Sequence, residues 1–256
     1  MRVTRSLFRI LAFLWLCGLT TCYIFLGLAW RRMRKQSKET QRVWIQKHFV
    51  QFVHRTHRIM GMRIQWEGNL PQQAAVIMGN HRSYADAILF PVQLPVAFVA
   101  RKESKSWPII GWGATVIGTI WVDRKDKNSR RATRAAVRER LSEGTAVILF
   151  PEGTTHLGPD LLEYRPGMFY TCAEEGFAVV PVALEYRDPN IAWVGNTWFI
   201  PHAFRHFGAR HIDVAVRFGE PMTASDGETL RTQVRDWTAK HCLDLRNRFD
   251  AEGTNN

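Results

Sequence analysis

The residues best suited to chemistry stand in the stretch "IMGNHRSYADAILF" (77–90), where His81 and Asp86 follow an apolar run with four residues between them. An imidazole exchanges protons near neutrality. A carboxylate at one ring nitrogen fixes the tautomer and leaves the other nitrogen as a base. On a continuous helix, residues five apart point about 140° away from each other, so the pair meets only if the chain turns between them. The stretch therefore reads as a strand ending near Met78, a turn holding His81, and a helix over "YADAILFPV" with Asp86 in its first turn. A purely structural reading uses the same residues: Asn80 or Ser83 caps the helix, His81 is solvated, and Asp86 favours the helix dipole.

Two further stretches leave apolar runs in the same way. In "LFPEGTTHLG" (149–158), Glu152 and Gly153 fall in the turn after a strand, and Gly153, Thr154 and Thr155 offer backbone and hydroxyl donors. In "GTIWVDRKDK" (118–127), Arg124 carries a planar fork suited to phosphate or carboxylate. Ligand sites in α/β sheets gather at the carboxyl ends of strands, so these stretches can face one crevice. His81, Asp86, Glu152 and His156 would also supply a metal-assisted hydrolase, but the chain has no HExxH and no paired-cysteine spacing.

The elements that must position these groups follow from periodicity. "MRIQWEG" alternates like a strand, and 74–78, 96–100, 119–122, 146–150, 178–186 and 212–218 are short runs rich in β-branched and aromatic residues, flanked by Gly, Pro or Asn. Between them, 129–141 reads as a helix stopped by Gly144. Residues 226–249 place Leu230, Val234, Trp237, His241, Leu245 and Phe249 three or four apart, as one helix face requires. Alternating strands and helices predict an α/β layered domain with a mixed, mostly parallel central sheet flanked by helices. No repeat and no low-complexity linker divides residues 61–256.

Charge is concentrated ahead of that domain. The net charge is +12, and residues 1–60 hold twelve Lys or Arg against one acid, leaving +1 for the other 196 residues. The basic residues frame 10–30, "ILAFLWLCGLTTCYIFLGLAW", which carries no charge and ends in Trp30 before "RRMRK". About 20 apolar residues span a bilayer core, and an aromatic anchor followed by basic residues fits a retained anchor better than a cleaved signal. Residues 37–60 mix aromatics and aliphatics at near-helical spacing with Arg, Lys and His, as an interfacial helix does. Residues 1–60 thus read as a membrane-associated helical pair. Arg2, Arg5 and Arg9 at the far end leave a shallow hairpin open beside a span. Nucleic acid is a poor fit to a near-neutral domain. The four cysteines show no zinc-ligand spacing and imply no disulfide framework.

The ordered blocks "NHRSYAD", "GTIWVDR", "FPEGTT" and "VVPVAL" resemble the four blocks of the glycerolipid acyltransferases, above all the 1-acylglycerol-3-phosphate acyltransferases, over roughly residues 60–220. The resemblance implies that His81 is a general base oriented by Asp86. The hydroxyl of a lysolipid attacks an acyl thioester, from acyl-CoA or acyl-carrier protein, without a metal or other cofactor. It implies that Arg124, Glu152, Gly153 and Thr154 meet the acceptor headgroup, that Pro181 shapes the site wall, and that the work is done at the cytoplasmic membrane face. The chain departs from the pattern at Thr155, where many relatives carry arginine, and at Arg165, where lysine is frequent. Arg165 is expected to take over part of the headgroup contact. The implied acceptor is 1-acylglycerol 3-phosphate, with a lyso-ornithine lipid as the alternative.

Overall fold

Seven of the apolar runs are strands, and they form one sheet. The computed structural model describes residues 2–90, 94–107, 110–195 and 197–254. Two helices come first, α1 (Arg2–Met33) and α2 (Lys38–Met60). The strands are β1 (Met62–Glu67), β2 (Val76–Gly79), β3 (Val96–Arg101), β4 (Ile120–Val122), β5 (Ala146–Leu149), β6 (Val179–Tyr186) and β7 (Ile212–Phe218). Between and after them come α3 (Ile110–Val116), α4 (Lys127–Ser142), α5 (Gly167–Glu175), α6 (Phe199–Phe207) and α7 (Gly227–Thr254). The sheet order is β1-β7-β6-β2-β5-β3-β4, parallel at every pairing except β6 with β7. The mixed, mostly parallel layered fold is the one the periodicity predicts.

The central strands β2, β5 and β6 are buried at every position, as parallel strands covered on both faces must be. One face packs Val76, Met78, Val147 and Leu149 against α4, α5 and α7. The other packs Ile77, Ile148, Val180 and Val182 against Leu89 and Phe90, with Phe49 of α2 beside them. In α7 the buried stripe runs through Leu230, Val234, Thr238, Cys242, Leu245 and Phe249, while Trp237 and His241 flank it. Thr238 sits in the apolar interior because its hydroxyl donates to the Val234 carbonyl at 2.8 Å.

Helix ends follow local chemistry. Asp126 caps α4 by accepting from the Asn128 and Ser129 amides, and Gly144 turns the chain into β5 with φ of 75°. The helix expected over "YADAILFPV" is instead a five-residue 3-10 turn, Tyr84–Ile88; residues 91 and 92 lie outside the described part. The segment from Ser83 is tied down at its start by polar contacts rather than by helical periodicity.

The N-terminal pair folds back on itself beside the sheet. Arg2, Ser6, Arg5 and Arg9 donate to the carbonyls of Arg205, Phe204, Gly208, Phe207, Ala209 and Arg210, around the end of α6. Those basic side chains satisfy helix-end acceptors, the complement that a helix C-terminus favours. On its outer side α1 leaves Leu7, Phe8, Leu11, Trp15, Leu19, Phe25, Leu26 and Trp30 exposed. It is the one described helix long and apolar enough to cross a membrane.

Candidate functional site

Strand register brings the separate sequence blocks to one edge. Met78 of β2 pairs with Leu149 of β5, so His81 and Glu152, each three residues further on, leave the sheet side by side. Val122 of β4 pairs with Arg101 of β3, and Arg124 follows two residues later at the same carboxyl edge. Gly79 pairs with Val182, so Glu185 and Tyr186 rise beside the His81 turn. Asn80 extends that pairing through its side chain, exchanging two 2.9 Å bonds with the backbone of Leu184.

At the centre, His81 Nδ1 lies 2.8 Å from Asp86 Oδ2. The same oxygen accepts the Arg82 and Ser83 amides at 2.6 and 2.9 Å, and Oδ1 accepts the Tyr186 hydroxyl at 2.8 Å. Asp86 is wholly buried, whereas the His81 side chain is 22% exposed. With the carboxylate accepting at Nδ1, the proton sits on that nitrogen and Nε2 presents its lone pair outward. No described residue bonds Nε2. The imidazole stacks on Phe150, with ring centres 4.1 Å apart and planes 8° from parallel, which fixes its tilt. The capping reading and the catalytic reading both hold: Ser83 and Asp86 form a capping box, and that cap aims Asp86 at His81.

Glu152 is turned inward. Its two oxygens accept the amides of His81 at 3.1 Å and Leu162 at 3.3 Å, and burial pushes its carboxyl above the usual range against the pull of those amides and Arg82. Expected to meet the headgroup, it braces the His81 turn from beneath. Gly153 adopts φ of +73°, and a β-carbon there would stand 2.5 Å from Arg165 Nε. Arg124 donates to the Gly153 carbonyl. Burial lowers the Arg124 pKa to about 10, with Arg101 and Arg165 repelling it and Glu103 opposing them. Arg124, Gly153 and Arg165 are thus brought together, with Thr154 exposed beside them. Pro181 is not at this edge: it pairs with Met78 inside the sheet, three residues below His81, and its carbonyl accepts the Gly219 amide. Thr155 is committed to the Trp193 carbonyl.

Several participants carry no mark in the sequence. Tyr186 is one. Burial and then the neighbouring Asp86 hold its phenol well above the ordinary range, so it remains a donor. Arg82 is another: 1% exposed, it pairs with buried Glu185 and donates to the carbonyls of His156, Pro159 and Asp160, while Arg246 takes the other Glu185 oxygen at 2.8 Å. That network fastens the His81 turn to β6 and to the loop after β5. Among the described residues no three His, Cys, Asp or Glu side chains gather as a metal-ligand set. His156, enlisted by the hydrolase reading, instead uses its amide on the His81 carbonyl and its ring on the Asp160 and Gly158 backbone.

An outward imidazole held by a buried carboxylate at the strand ends of a mixed α/β sheet suits transferase or hydrolase chemistry. Comparison with known proteins decides the class. The sequence profile of the family described as Acyltransferase matches residues 61–185. A lyso-ornithine lipid O-acyltransferase of Brucella abortus is 31% identical over 191 residues, 67% of this chain and 72% of the relative. A 1-acyl-sn-glycerol-3-phosphate acyltransferase of Neisseria gonorrhoeae is 33% identical over 113 residues, 44% of each chain. The crystal structure of a 1-acyl-sn-glycerophosphate acyltransferase from Thermotoga maritima shares the fold, with a TM-score of 0.69 and 24% identity, covering 96% of this chain and 98% of that one. The chain belongs to the acyltransferase family, among the acyltransferases of lysolipids.

Proposed function

We propose that the protein transfers an acyl group from a thioester to the free hydroxyl of a lysolipid, with His81 as general base. The observation that carries this is the buried Asp86 bonded to Nδ1 while Nε2 faces outward. Nε2 takes the acceptor's hydroxyl proton as the oxygen attacks the thioester carbonyl. The tetrahedral intermediate collapses, the carbon–sulfur bond breaks, and the proton passes to the departing thiolate. A thioester is already activated, so placement and a base near neutrality supply most of what the step needs. Asp86 stabilises the transient imidazolium, and Tyr186, with the Arg82 and Ser83 amides, holds Asp86 in place.

Arg124 and Arg165, drawn together at Gly153, suit an anionic group on the acceptor. We favour a lyso-ornithine lipid, whose amino-acid carboxylate fits two arginines. Thr155, where an arginine would add a third cation, is neutral and tied to Trp193. Relatives of that name also align over two thirds of the chain. The paired arginines equally support 1-acylglycerol 3-phosphate as the second reading. The donor is an acyl-CoA or an acyl-carrier protein.

The acceptor and product reside in lipid, which gives α1 its purpose. Its first two turns are bound to α6, and α2 packs on the domain from Arg42, paired with Glu143, to Met60. A helix held beside the domain at both ends lies along one leaflet with its exposed apolar side in the lipid. The test is to offer purified protein each lysolipid with labelled acyl-CoA and labelled acyl-carrier protein. Labelled ornithine lipid is expected. Label only in phosphatidic acid would select the second acceptor, and label in neither would refute the proposal.

A further inference from the structure

Residues 61–256 are nearly neutral in sum, yet their charge is segregated. Residues 101–140 hold eleven Lys or Arg against four acids, +7, so the remainder carries −6. Within this block Lys127, Arg131, Arg134 and Arg138 recur at i, i+4, i+7 and i+11 along α4, which puts them on one stripe about 16 Å long. Lys127, Arg131 and Arg138 are exposed and Arg134 is half-buried. Arg138 pairs with Glu175, and no described acid pairs with the other three.

The stripe starts at the site. Arg130, one turn into α4, donates to the Arg124 carbonyl at 2.6 Å; Arg124 in turn donates to Gly153, next to the Glu152 that braces His81. It also faces away from the apolar side of the molecule. α4 covers the sheet face made by Val147 and Leu149, while α2, with α1 stacked upon it, lies against the opposite face. With α1 in a leaflet, the stripe is turned to the aqueous side. Its three unpaired cations, Lys127, Arg131 and Arg134, follow one another over about 10 Å of helix, and unpaired cations in a row on an exposed helix suit the acidic surface of a protein helix.

We propose that this stripe of α4 docks an acidic carrier protein that bears the acyl thioester, a proposal that rests on the acyl-transfer reading above. Docked there, the carrier's thiol-bearing arm reaches past Arg124 and presents its thioester to the hydroxyl activated by His81.

The test is the double variant Lys127→Glu, Arg131→Glu in the full-length protein. Both side chains are exposed near a helix N-terminus that tolerates acids, so the fold is retained. Transfer to a lysolipid in mixed micelles is measured with acyl-carrier protein and with acyl-CoA of the same chain length. Expected is a KM for the carrier donor raised at least tenfold, with acyl-CoA turnover changed less than twofold. In the wild type the carrier reaction should also be the more strongly inhibited by salt. Equal effects on both donors, no effect on either, or wild-type activity with acyl-CoA alone would overturn the docking proposal. So would loss of binding to anionic phosphatidylglycerol vesicles, because the stripe would then face the membrane. If the wild type used neither donor, the acyl-transfer reading itself would fall.

Discussion

Replacing Tyr186 by Phe removes one hydroxyl and leaves the ring. In the folded protein that hydroxyl is the donor to Asp86 Oδ1, at 2.8 Å, and both residues are buried. A hydrogen bond to a charged acceptor is worth about 1.5–3 kcal/mol, and about 1.4 kcal/mol is a tenfold change in rate. The three bonds remaining at Oδ2 still hold the carboxylate, so about half of that loss is expected to fall on its hold over the His81 ring and the rest on folding. A less firmly held Asp86 orients the imidazole less well and stabilises the transient imidazolium less. The turnover number should therefore fall about tenfold, with an unchanged KM for the acceptor. The assay is initial-rate acyl transfer over a range of acceptor concentrations, beside a thermal melt of each protein. A variant that melts earlier but keeps the wild-type turnover would show that Tyr186 is packing alone.

The same structure sets other outcomes. Glu185→Gln removes the anion between buried Arg82 and Arg246, and breaking such a pair costs about 3–5 kcal/mol, read as a lower urea midpoint. Gly153→Ala meets both the positive φ and Arg165, so the acceptor KM should rise about tenfold with kcat nearly kept; an unchanged KM would remove Arg165 from the headgroup contact. Burial and the neighbouring His202, with Arg205 and Arg2 adding to them and Asp188 opposing, lower His206 to about 4. A depressed histidine pKa means that between about 6.5 and 4 the unfolded chain binds the proton and the folded one does not. Stability should thus fall by about 2–3 kcal/mol as pH drops through that window, and His206→Gln should flatten the dependence of the melting temperature on pH.

What the sequence disclosed and what it hid differ by range. All seven strands were legible because β-branched runs between Gly, Pro and Asn are local signals, and 129–141 and 226–249 were legible as helices, the first from its composition and the glycine that follows, the second from apolar spacing; α4 and α7 contain most of both. Residues 84–88 read as the start of an α-helix, yet they make a single 3-10 turn, because the bonds of Asp86 to the Arg82 and Ser83 amides outweigh a weak periodicity. The meeting of His81 with Asp86 was open to inference, since both lie in one turn. Tyr186, a hundred residues on, reaches Asp86 only because β6 pairs with β2, and strand order is written in no local pattern. Glu152 looked like a ligand because it stands at a strand end. Only the register of β2 with β5 reveals that the His81 amide claims it. Arg2, Arg5 and Arg9 read as charges flanking a membrane segment, and their use on the carbonyls around the end of α6 depends wholly on tertiary packing.

In the proposed reaction the outward nitrogen of His81 takes the acceptor's proton, and His81→Ala removes that base. Transfer of labelled acyl groups to lysolipid should fall about a hundred-fold or more, the range a positioned general base supplies. Partition into vesicles, which uses α1, should stay as in the wild type. Turnover near the wild-type rate in a variant that binds vesicles normally would contradict the claim.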